Sequence, residues 1–291
     1  MPPLRLTRAR DPDEFDRLAF DFLVAREAEH NLLFGITAGV RAGEYAAAPY
    51  FAVVRDGERV VAAALRTPPF NLILSEIDDA DAVPLLVAEA AELWPDLPGV
   101  LGPKAHASRF ALLWEERTGG AVMLHTAERA FRLGKVRSPR PVAGRVRLAE
   151  PPDRSRITDW LVAFGAEALR QTQDVGRMEA YADRLIARLG GRSMYLWDDG
   201  GPVSMALASA VTPHGSRVGA VYTPPELRRR GYASALVAAA SQAQLDAGRR
   251  FCYLFTDLAN PTSNRIYQAI GYEPVCDVDE YRFERPAAAD T

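Results

Sequence analysis

The sequence has few cysteines and few histidines, which narrows the chemistry it can support. Among its 291 residues, Cys252 and Cys276 are the two cysteines, too few for a disulfide scaffold or a four-thiolate zinc site. The four histidines show no metal-ligand spacing such as HExxH. We therefore predict that the protein binds no metal.

Membrane and export signals are also missing from the sequence. No stretch approaches the ~20 consecutive apolar residues of a membrane helix. Residues 1–15 alternate in charge and lack the apolar run of a signal peptide. The net charge of −3 gives no general basic surface for nucleic acid. These absences predict a cytoplasmic protein with neither a membrane nor a nucleic-acid partner.

Lysine is nearly absent as well. Lys104 and Lys135 are the two lysines among 35 basic residues, so almost every cation is an arginine. Genome base composition explains such a bias in general. A functional role must therefore follow from where particular arginines lie.

The order of predicted elements repeats, which divides the chain into two similar halves. Each half is predicted to run β-α-α-β-β-β-α-β-α-β, an α+β class. In the first half, apolar periodicity predicts one early helix over 13–29, and in the second half two helices over 155–169 and 177–189. The predicted boundaries are a first domain over 1–137, a proline-containing linker over 138–144, a second domain over 145–286 and a frayed tail over 287–291.

The most informative segment is VGAVYTPPELRRRGYASALV, residues 218–237, in which a strand leads through a turn into a helix. Pro224 and Pro225 stop the strand, because proline cannot donate to a sheet ladder. Gly231 permits a positive φ angle or a close backbone approach. The helix start offers free N–H groups from about Arg229 to Ser234 at the positive end of the helix dipole. This arrangement suits a phosphate or pyrophosphate.

The same segment differs from the common nucleotide motifs. It lacks the Lys-Ser/Thr pair of a P-loop, and it is not the GxGxxG of a dinucleotide fold. An arginine-rich helix start on a solvated surface is the alternative interpretation. The spacing Arg-x-x-Gly-x-Ala after strand-Pro-Pro-Glu favours the phosphate site.

A second segment, TDLANPTSNRIYQAIGY, residues 256–272, predicts a short helix. Asn260 is expected to cap its N-terminus, with proline following where no N–H is needed. Helical spacing predicts two faces. These are a polar stripe of Asn260, Asn264 and Tyr267 and a core stripe of Ile266 and Ile270.

The two segments together resemble the signatures of the GNAT superfamily of N-acetyltransferases. Residues Arg228 to Ala233 match its acyl-CoA-binding motif, Gln/Arg-x-x-Gly-x-Gly/Ala. The resemblance is specific over 217–283 and looser back to residue 145. It implies two GNAT-like domains, each a mixed, mostly antiparallel sheet flanked by helices.

The resemblance also implies a reaction, in which an acetyl group passes from acetyl-CoA to the amine of a small molecule or peptide. Amides from Arg229 to Ser234 would hold the CoA pyrophosphate, the backbone N–H near Tyr222 would stabilise the oxyanion, and Tyr267 would be the general acid. The implied cofactor-binding residues are Val221, Tyr222, Thr223, Arg228, Arg229, Arg230, Gly231, Tyr232, Ala233, Ser234, Asn260 and Asn264.

Two parts of the site stay open at the level of sequence. An alkylamine of pKa ~10.4 must lose a proton before it attacks, so a base or a water chain is required. The candidate bases, none singled out by spacing, are Glu167, Glu226 and Asp257. The aromatic residues that either line an acceptor pocket or pack in the core are Trp160, Phe164 and Tyr181.

The first half carries no acyl-CoA motif. Its second predicted helix follows the acidic stretch 75–81, which would repel a pyrophosphate. We predict a degenerate GNAT-like domain that does not bind acyl-CoA in the usual way and could form a wall of the acceptor pocket. Two other functions remain open for the whole chain: a non-catalytic acyl-CoA-binding or sensory protein, and, against its net charge, a nucleic-acid-binding protein.

Overall fold

The computed structural model describes residues 3–168 and 172–284, and the chain forms two compact units. Unit 1 contains residues 3–130, 256–259 and 275–284. Unit 2 contains the described part of 131–255 together with 260–274. No helix in these described ranges is both long and apolar enough to cross a membrane.

Unit 1 is built on a mixed sheet with the order β1-β2-β3-β4-β5-β12-β6. Strands β4 and β5 pair in parallel, whereas β1-β2, β2-β3, β3-β4 and β5-β12 are antiparallel. The elements up to the end of the first repeat are β1 (Arg5–Ala9), α1 (Pro12–Ala25), α2 (Asn31–Arg41), β2 (Tyr50–Asp56), β3 (Arg59–Arg66), β4 (Leu72–Leu74), α3 (Ala82–Leu93), β5 (Gly99–Pro103), α4 (Lys104–Thr118) and β6 (Val122–Leu133).

Unit 2 repeats this order around a sheet that runs β6-β11-β10-β9-β8-β7, to which β6 contributes residues 131–133. Strands β10 and β11 pair in parallel, and β7-β8, β8-β9 and β9-β10 are antiparallel. Its elements are β7 (Arg145–Leu148), α5 (Arg154–Ala168), α6 (Val175–Ile186), β8 (Arg192–Asp198), β9 (Pro202–Ser209), β10 (Gly215–Tyr222), α7 (Tyr232–Asp246), β11 (Phe251–Asp257), α8 (Pro261–Ala269) and β12 (Glu273–Phe283).

The last strand, β12, belongs mostly to unit 1. It pairs with β5 from Val278 opposite Pro103 to Arg282 opposite Gly99. Its end packs into the core of unit 1, where the ring of Phe283 stacks on that of Trp114 at 5.1 Å between centroids. The predicted domain division at a linker over 138–144 remains a prediction.

The predicted α+β class and the repeated element order are confirmed, with one helix misplaced. The helix predicted over 13–29 ends at Ala25, and a second helix, α2, follows at Asn31–Arg41. Periodicity alone did not locate α2 because it contains Gly35 and Gly39, which weaken the helical signal. The predicted last residue of the helix over 155–169 and the predicted tail over 287–291 lie outside the described residues.

Two apolar clusters cover the two faces of the unit 2 sheet. Helices α7 and α8 pack on one face, and α5 and α6 pack on the other. The aromatic residues considered for the acceptor pocket fall in the second cluster. Trp160 is 8% exposed within it, and Phe164 and Tyr181 pack against it. The structure therefore places Trp160 in the core of unit 2 and the other two aromatic residues, partly buried, against it.

A buried histidine ties the α1–α2 connection of unit 1 to the end of β4. His30 Nδ1 lies 2.9 Å from the Leu23 carbonyl, and its Nε2 accepts the Glu76 N–H at 3.0 Å. Nδ1 must therefore carry the proton of a neutral ring. Burial lowers the pKa of His30, helped by Arg26 and opposed by the Leu23 carbonyl and by Glu76 and Asp78.

This histidine makes the stability of unit 1 depend on pH. An unfolded histidine has a pKa of about 6.5, so the unfolded chain takes up the proton first. Stability is therefore full above about pH 6.5 and falls toward the lowered folded pKa, with a slope approaching about 1.4 kcal/mol per pH unit. We expect urea unfolding between pH 7.5 and 5 to show this slope, and His30→Gln to reduce it.

The control for this measurement is His214→Gln, which replaces an exposed histidine of unit 2. This variant should keep the wild-type pH dependence of unfolding. An unchanged slope in His30→Gln would contradict the assignment of the pH dependence to His30.

Candidate active site

Strand β10 contains a bulge that turns its backbone toward a gap in the sheet of unit 2. Gly219 pairs with Leu207 of β9, but Tyr222 pairs with Met205. The chain therefore advances three residues on β10 for two residues on β9. Ala220 takes a φ of +46° within the bulge. A bulge bends its strand and leaves one residue out of the ladder. Val221, predicted to bind the cofactor, lies in this bulge.

The gap itself lies between β10 and β11. Their parallel pairing covers Gly215–Arg217 against Phe251–Tyr253 among the described residues, although both strands continue further. Beyond these pairs, the edge of β10 that faces β11 presents backbone groups that another extended chain could pair with. Tyr222 ends this strand, and Thr223, another predicted site residue, follows it directly.

The turn after β10 leads into α7 through two left-handed residues. Arg229 has a φ of +64° and Gly231, the N-cap of α7, has a φ of +88°. No side chain caps α7, and the first described helical bond runs from the Ala235 N–H to the Gly231 carbonyl at 3.0 Å. The N–H groups of Tyr232, Ala233 and Ser234 therefore stay free of intrahelical partners at the positive end of the dipole.

The three predicted arginines of this turn differ in their surroundings. Arg228 is engaged by the protein: Nε donates to the Thr223 carbonyl at 2.8 Å and Nη2 donates to Glu167 Oε2 at 2.5 Å. Arg230 Nη2 donates to the Glu226 carbonyl at 3.2 Å, and Arg229 is exposed. Of the three guanidinium groups, that of Arg229 is therefore the most available to a phosphate.

One of the three candidate bases is held at the end of β10. Glu167, on α5, accepts the Tyr222 hydroxyl at 3.1 Å in addition to Arg228. Burial and then this hydrogen bond raise the pKa of Tyr222. Glu226 is exposed in the turn, and the Asp257 carboxylate accepts the Ala259 N–H at 2.7 Å. Of the three carboxylates, Glu167 is thus the one whose side chain is bonded to a residue of β10.

Tyr267 lies on α8 and is 9% exposed. Its ring packs edge-on against Tyr272, 6.1 Å between centroids, and burial raises the pKa of Tyr267 to about 12. Within the described part of the chain its hydroxyl forms no hydrogen bond. A protonated, unengaged hydroxyl is what a proton donor requires.

The predicted stripes of α8 are partly wrong. Tyr267 belongs to the same apolar cluster as Ile266 and Ile270, so it lies on the core side rather than on a separate polar stripe. The two asparagines serve the start of the helix: the Asn260 side chain accepts the Ser263 N–H at 3.1 Å, and Asn264 Nδ2 donates to the Asn260 carbonyl at 2.8 Å. Both asparagines lie at the N-terminal end of α8, so their polar side chains are explained by capping of this short helix.

Sequence reasoning missed a buried serine on β9. Ser204 Oγ donates to the Tyr222 carbonyl at 2.9 Å and lies 2.8 Å from the Thr223 hydroxyl. It fixes the end of β10 from the strand beside it. The available signal was a serine inside an apolar run, since a buried hydroxyl must find a partner.

A second missed group holds the turn at Gly231 from outside. The Tyr232 hydroxyl donates to Asp199 Oδ2 at 2.6 Å, in the connection between β8 and β9. A Cβ atom at Gly231 would lie 2.8 Å from Cγ1 of Val142. The turn between β10 and α7 is thus supported by residues distant in sequence.

Comparisons with known proteins show a family-model match over part of the chain and a similar fold over nearly all of it. Residues 199–282 match the family model of FR47-like proteins. A GCN5-related N-acetyltransferase from Sphaerobacter thermophilus superposes with a TM-score of 0.65 at 17% identity, covering 99% of this chain and 98% of that one. A tandem GNAT protein from the clavulanic acid biosynthesis pathway gives 0.62 at 15% identity, with 99% and 100% covered. No curated protein matches the chain. At these identities the similarity shows the fold, and the predicted resemblance is confirmed at that level.

Proposed function

Since the chain is a tandem protein of GNAT fold, we propose that it is an acyltransferase that moves an acetyl group from acetyl-CoA to the amine of a small molecule or peptide. The observation that carries this proposal is the gap between β10 and β11, which ends at the uncapped start of α7. A strand edge beside an anion-binding helix start matches a ligand with amides at one end and a pyrophosphate at the other. We place this reaction in the cytoplasm, with no metal and no nucleic-acid or membrane partner.

The proposal assigns acetyl-CoA to three parts of the site. The pyrophosphate accepts hydrogen bonds from the amides of residues 229–234. The pantetheine amides pair with the edge of β10 at Val221 and Thr223. The thioester carbonyl enters the gap, where the N–H near Tyr222 donates to the developing oxyanion.

The chemical step forms a C–N bond and breaks the C–S bond. The amine nitrogen attacks the thioester carbonyl carbon, and collapse of the tetrahedral intermediate expels the CoA thiolate. Tyr267 gives this thiolate its proton and regains one, through water, from the attacking nitrogen, which loses an N–H proton as the amide forms. Burial raises the pKa of the Tyr267 phenol, which keeps it protonated until the thiolate forms.

Glu167 is our choice for the carboxylate that receives the amine. Its two oxygens are already bonded to Tyr222 and Arg228, so it is held in one orientation at the end of β10. An ammonium group approaching the gap would meet this negative charge. The amine can then lose its proton to the carboxylate directly or through water.

We also propose that unit 1 does not bind acyl-CoA. Where β4 ends, His106 of α4 accepts the Ile77 N–H at 3.1 Å and lies 3.0 Å from Glu76 Oε2. These side chains link the segment after β4 to α4 in the place that corresponds to the gap of unit 2. Asp79 and Asp81 precede α3 and would repel a pyrophosphate.

The test is thiol release from acetyl-CoA with a panel of small amines and peptides, alongside calorimetric binding of CoA. Binding with amine-dependent release supports the proposal. Binding without release on any amine would favour the non-catalytic, sensory alternative. No binding of CoA would reject both functions.

A further inference from the structure

We propose that the segment 139–144 forms one wall of the CoA phosphate site, and that Arg140 on this segment binds the 3′-phosphate of the CoA ribose. This inference rests on the proposed function. It assigns a nucleotide contact to a segment that carries no part of either motif.

Three contacts hold the segment in place, one with the phosphate-binding turn of unit 2 and two with the end of β8. Val142 lies against Gly231, as described above. Trp197 Nε1 donates to the Ala143 carbonyl at 2.8 Å. A Cβ atom at Gly144, whose φ is +99°, would lie 2.5 Å from the Asp198 carbonyl oxygen, so this residue passes directly over the end of β8.

The position of these contacts decides which half of CoA the segment would meet. In the sheet of unit 2, β9 and β8 lie on one side of β10 and β11 lies on the other. The pantetheine runs from the pyrophosphate toward the gap on the β11 side. The pyrophosphate joins the two halves of CoA, so the adenosine half leaves the turn away from the gap, toward the β8–β9 connection and the segment 139–144.

Charge then points to Arg140. Among the guanidinium groups of the turn, Arg228 and Arg230 already donate to protein carbonyls, and Arg228 also to Glu167. Arg229, exposed within the turn itself, is left to the pyrophosphate. Arg140 is exposed and forms no hydrogen bond or ion pair with the residues that the structure describes. It lies two residues before Val142, at most about 7 Å along the chain, so its long side chain can reach a ligand on the turn.

The residues beside Arg140 favour a defined position for it. Pro139 and Pro141 flank it, and proline fixes φ near −65°. A phosphate monoester carries close to two negative charges at neutral pH and offers three acceptor oxygens. Arginine binds such a group through a planar set of donors.

The experiment compares CoA with 3′-dephospho-CoA by isothermal titration calorimetry. We expect wild-type protein to bind CoA about five- to tenfold more tightly than 3′-dephospho-CoA. Arg140→Gln should remove that preference by weakening CoA binding alone. Arg137→Gln is the matched control, because Arg137 is an exposed arginine on the same stretch of chain whose N–H donates to the Ile270 carbonyl, at the end of α8.

Each other outcome overturns the inference. Equal weakening of both ligands by Arg140→Gln would show that the side chain does not read the 3′-phosphate. The same loss in Arg137→Gln would show a general effect of charge. A wild-type protein that binds neither ligand would reject the proposed function, whereas one that binds both equally would reject this inference alone.

Discussion

Replacement of Tyr267 by phenylalanine is expected to lower kcat by about 10²- to 10⁴-fold, the usual contribution of a positioned general acid. The Kd of CoA should not change, because the phenyl ring keeps its contacts in the core of unit 2. The hydroxyl has no hydrogen-bond partner among the described residues, so its removal should cost less than about 0.5 kcal/mol of stability. Steady-state thiol release, CoA calorimetry and urea unfolding measure the three quantities.

Tyr272 provides the matched control for this substitution. It is buried next to Tyr267, and its hydroxyl lies 2.8 Å from Ser241 Oγ. Tyr272→Phe should cost about 1 kcal/mol of stability for the lost hydrogen bond and leave kcat unchanged. If Tyr267→Phe turned over at the wild-type rate, Tyr267 would not be the proton donor.

The substitution Gly231→Ala is expected to weaken CoA binding tenfold or more. A residue with a side chain at a φ of +88° is strained by about 1–3 kcal/mol, and each ~1.4 kcal/mol corresponds to a factor of ten in affinity. The new Cβ would also strike Val142. Relief of either strain turns the amides of the following residues away from the pyrophosphate. CoA calorimetry and urea unfolding of the same sample measure both effects.

Gly248 is a close control, because it has the same φ of +88° beyond the other end of α7 with no neighbour within 4 Å of a new Cβ. Gly248→Ala should lose stability through the same backbone strain and bind CoA as the wild type does. The double variant Gly231→Ala with Val142→Ala removes the clash with Val142 but keeps the backbone strain at position 231. Comparing it with Gly231→Ala therefore separates the two causes. Equal losses of affinity in Gly231→Ala and Gly248→Ala would contradict a specific role for the turn.

Local chemistry made the turn and α8 predictable from the sequence. Two prolines end β10, a glycine in the left-handed region starts α7, and Asn260 with the proline after it starts α8. Each of these signals acts between neighbours in the chain. The structure places these elements where the sequence predicted them.

The supporting residues were not predictable in the same way. Ser204, Asp199 and Val142 reach the turn from other strands and from the predicted linker, so their roles depend on tertiary packing. Glu167 could not be chosen among three carboxylates, because spacing along the chain does not show which one reaches the end of β10. Tyr267 was assigned to a polar face because helical spacing alone does not say which side of α8 meets the sheet.

The pairing of β12 with β5 sets an order on the synthesis of the protein. Unit 2 has all of its residues once position 274 has left the ribosome, whereas unit 1 still lacks the strand between β5 and β6. Until residues 275–283 are made, β5 presents an open edge, and Trp114 lacks the ring that covers it. Open strand edges favour aggregation during folding. The half of the protein that is translated first is therefore the half that finishes folding last.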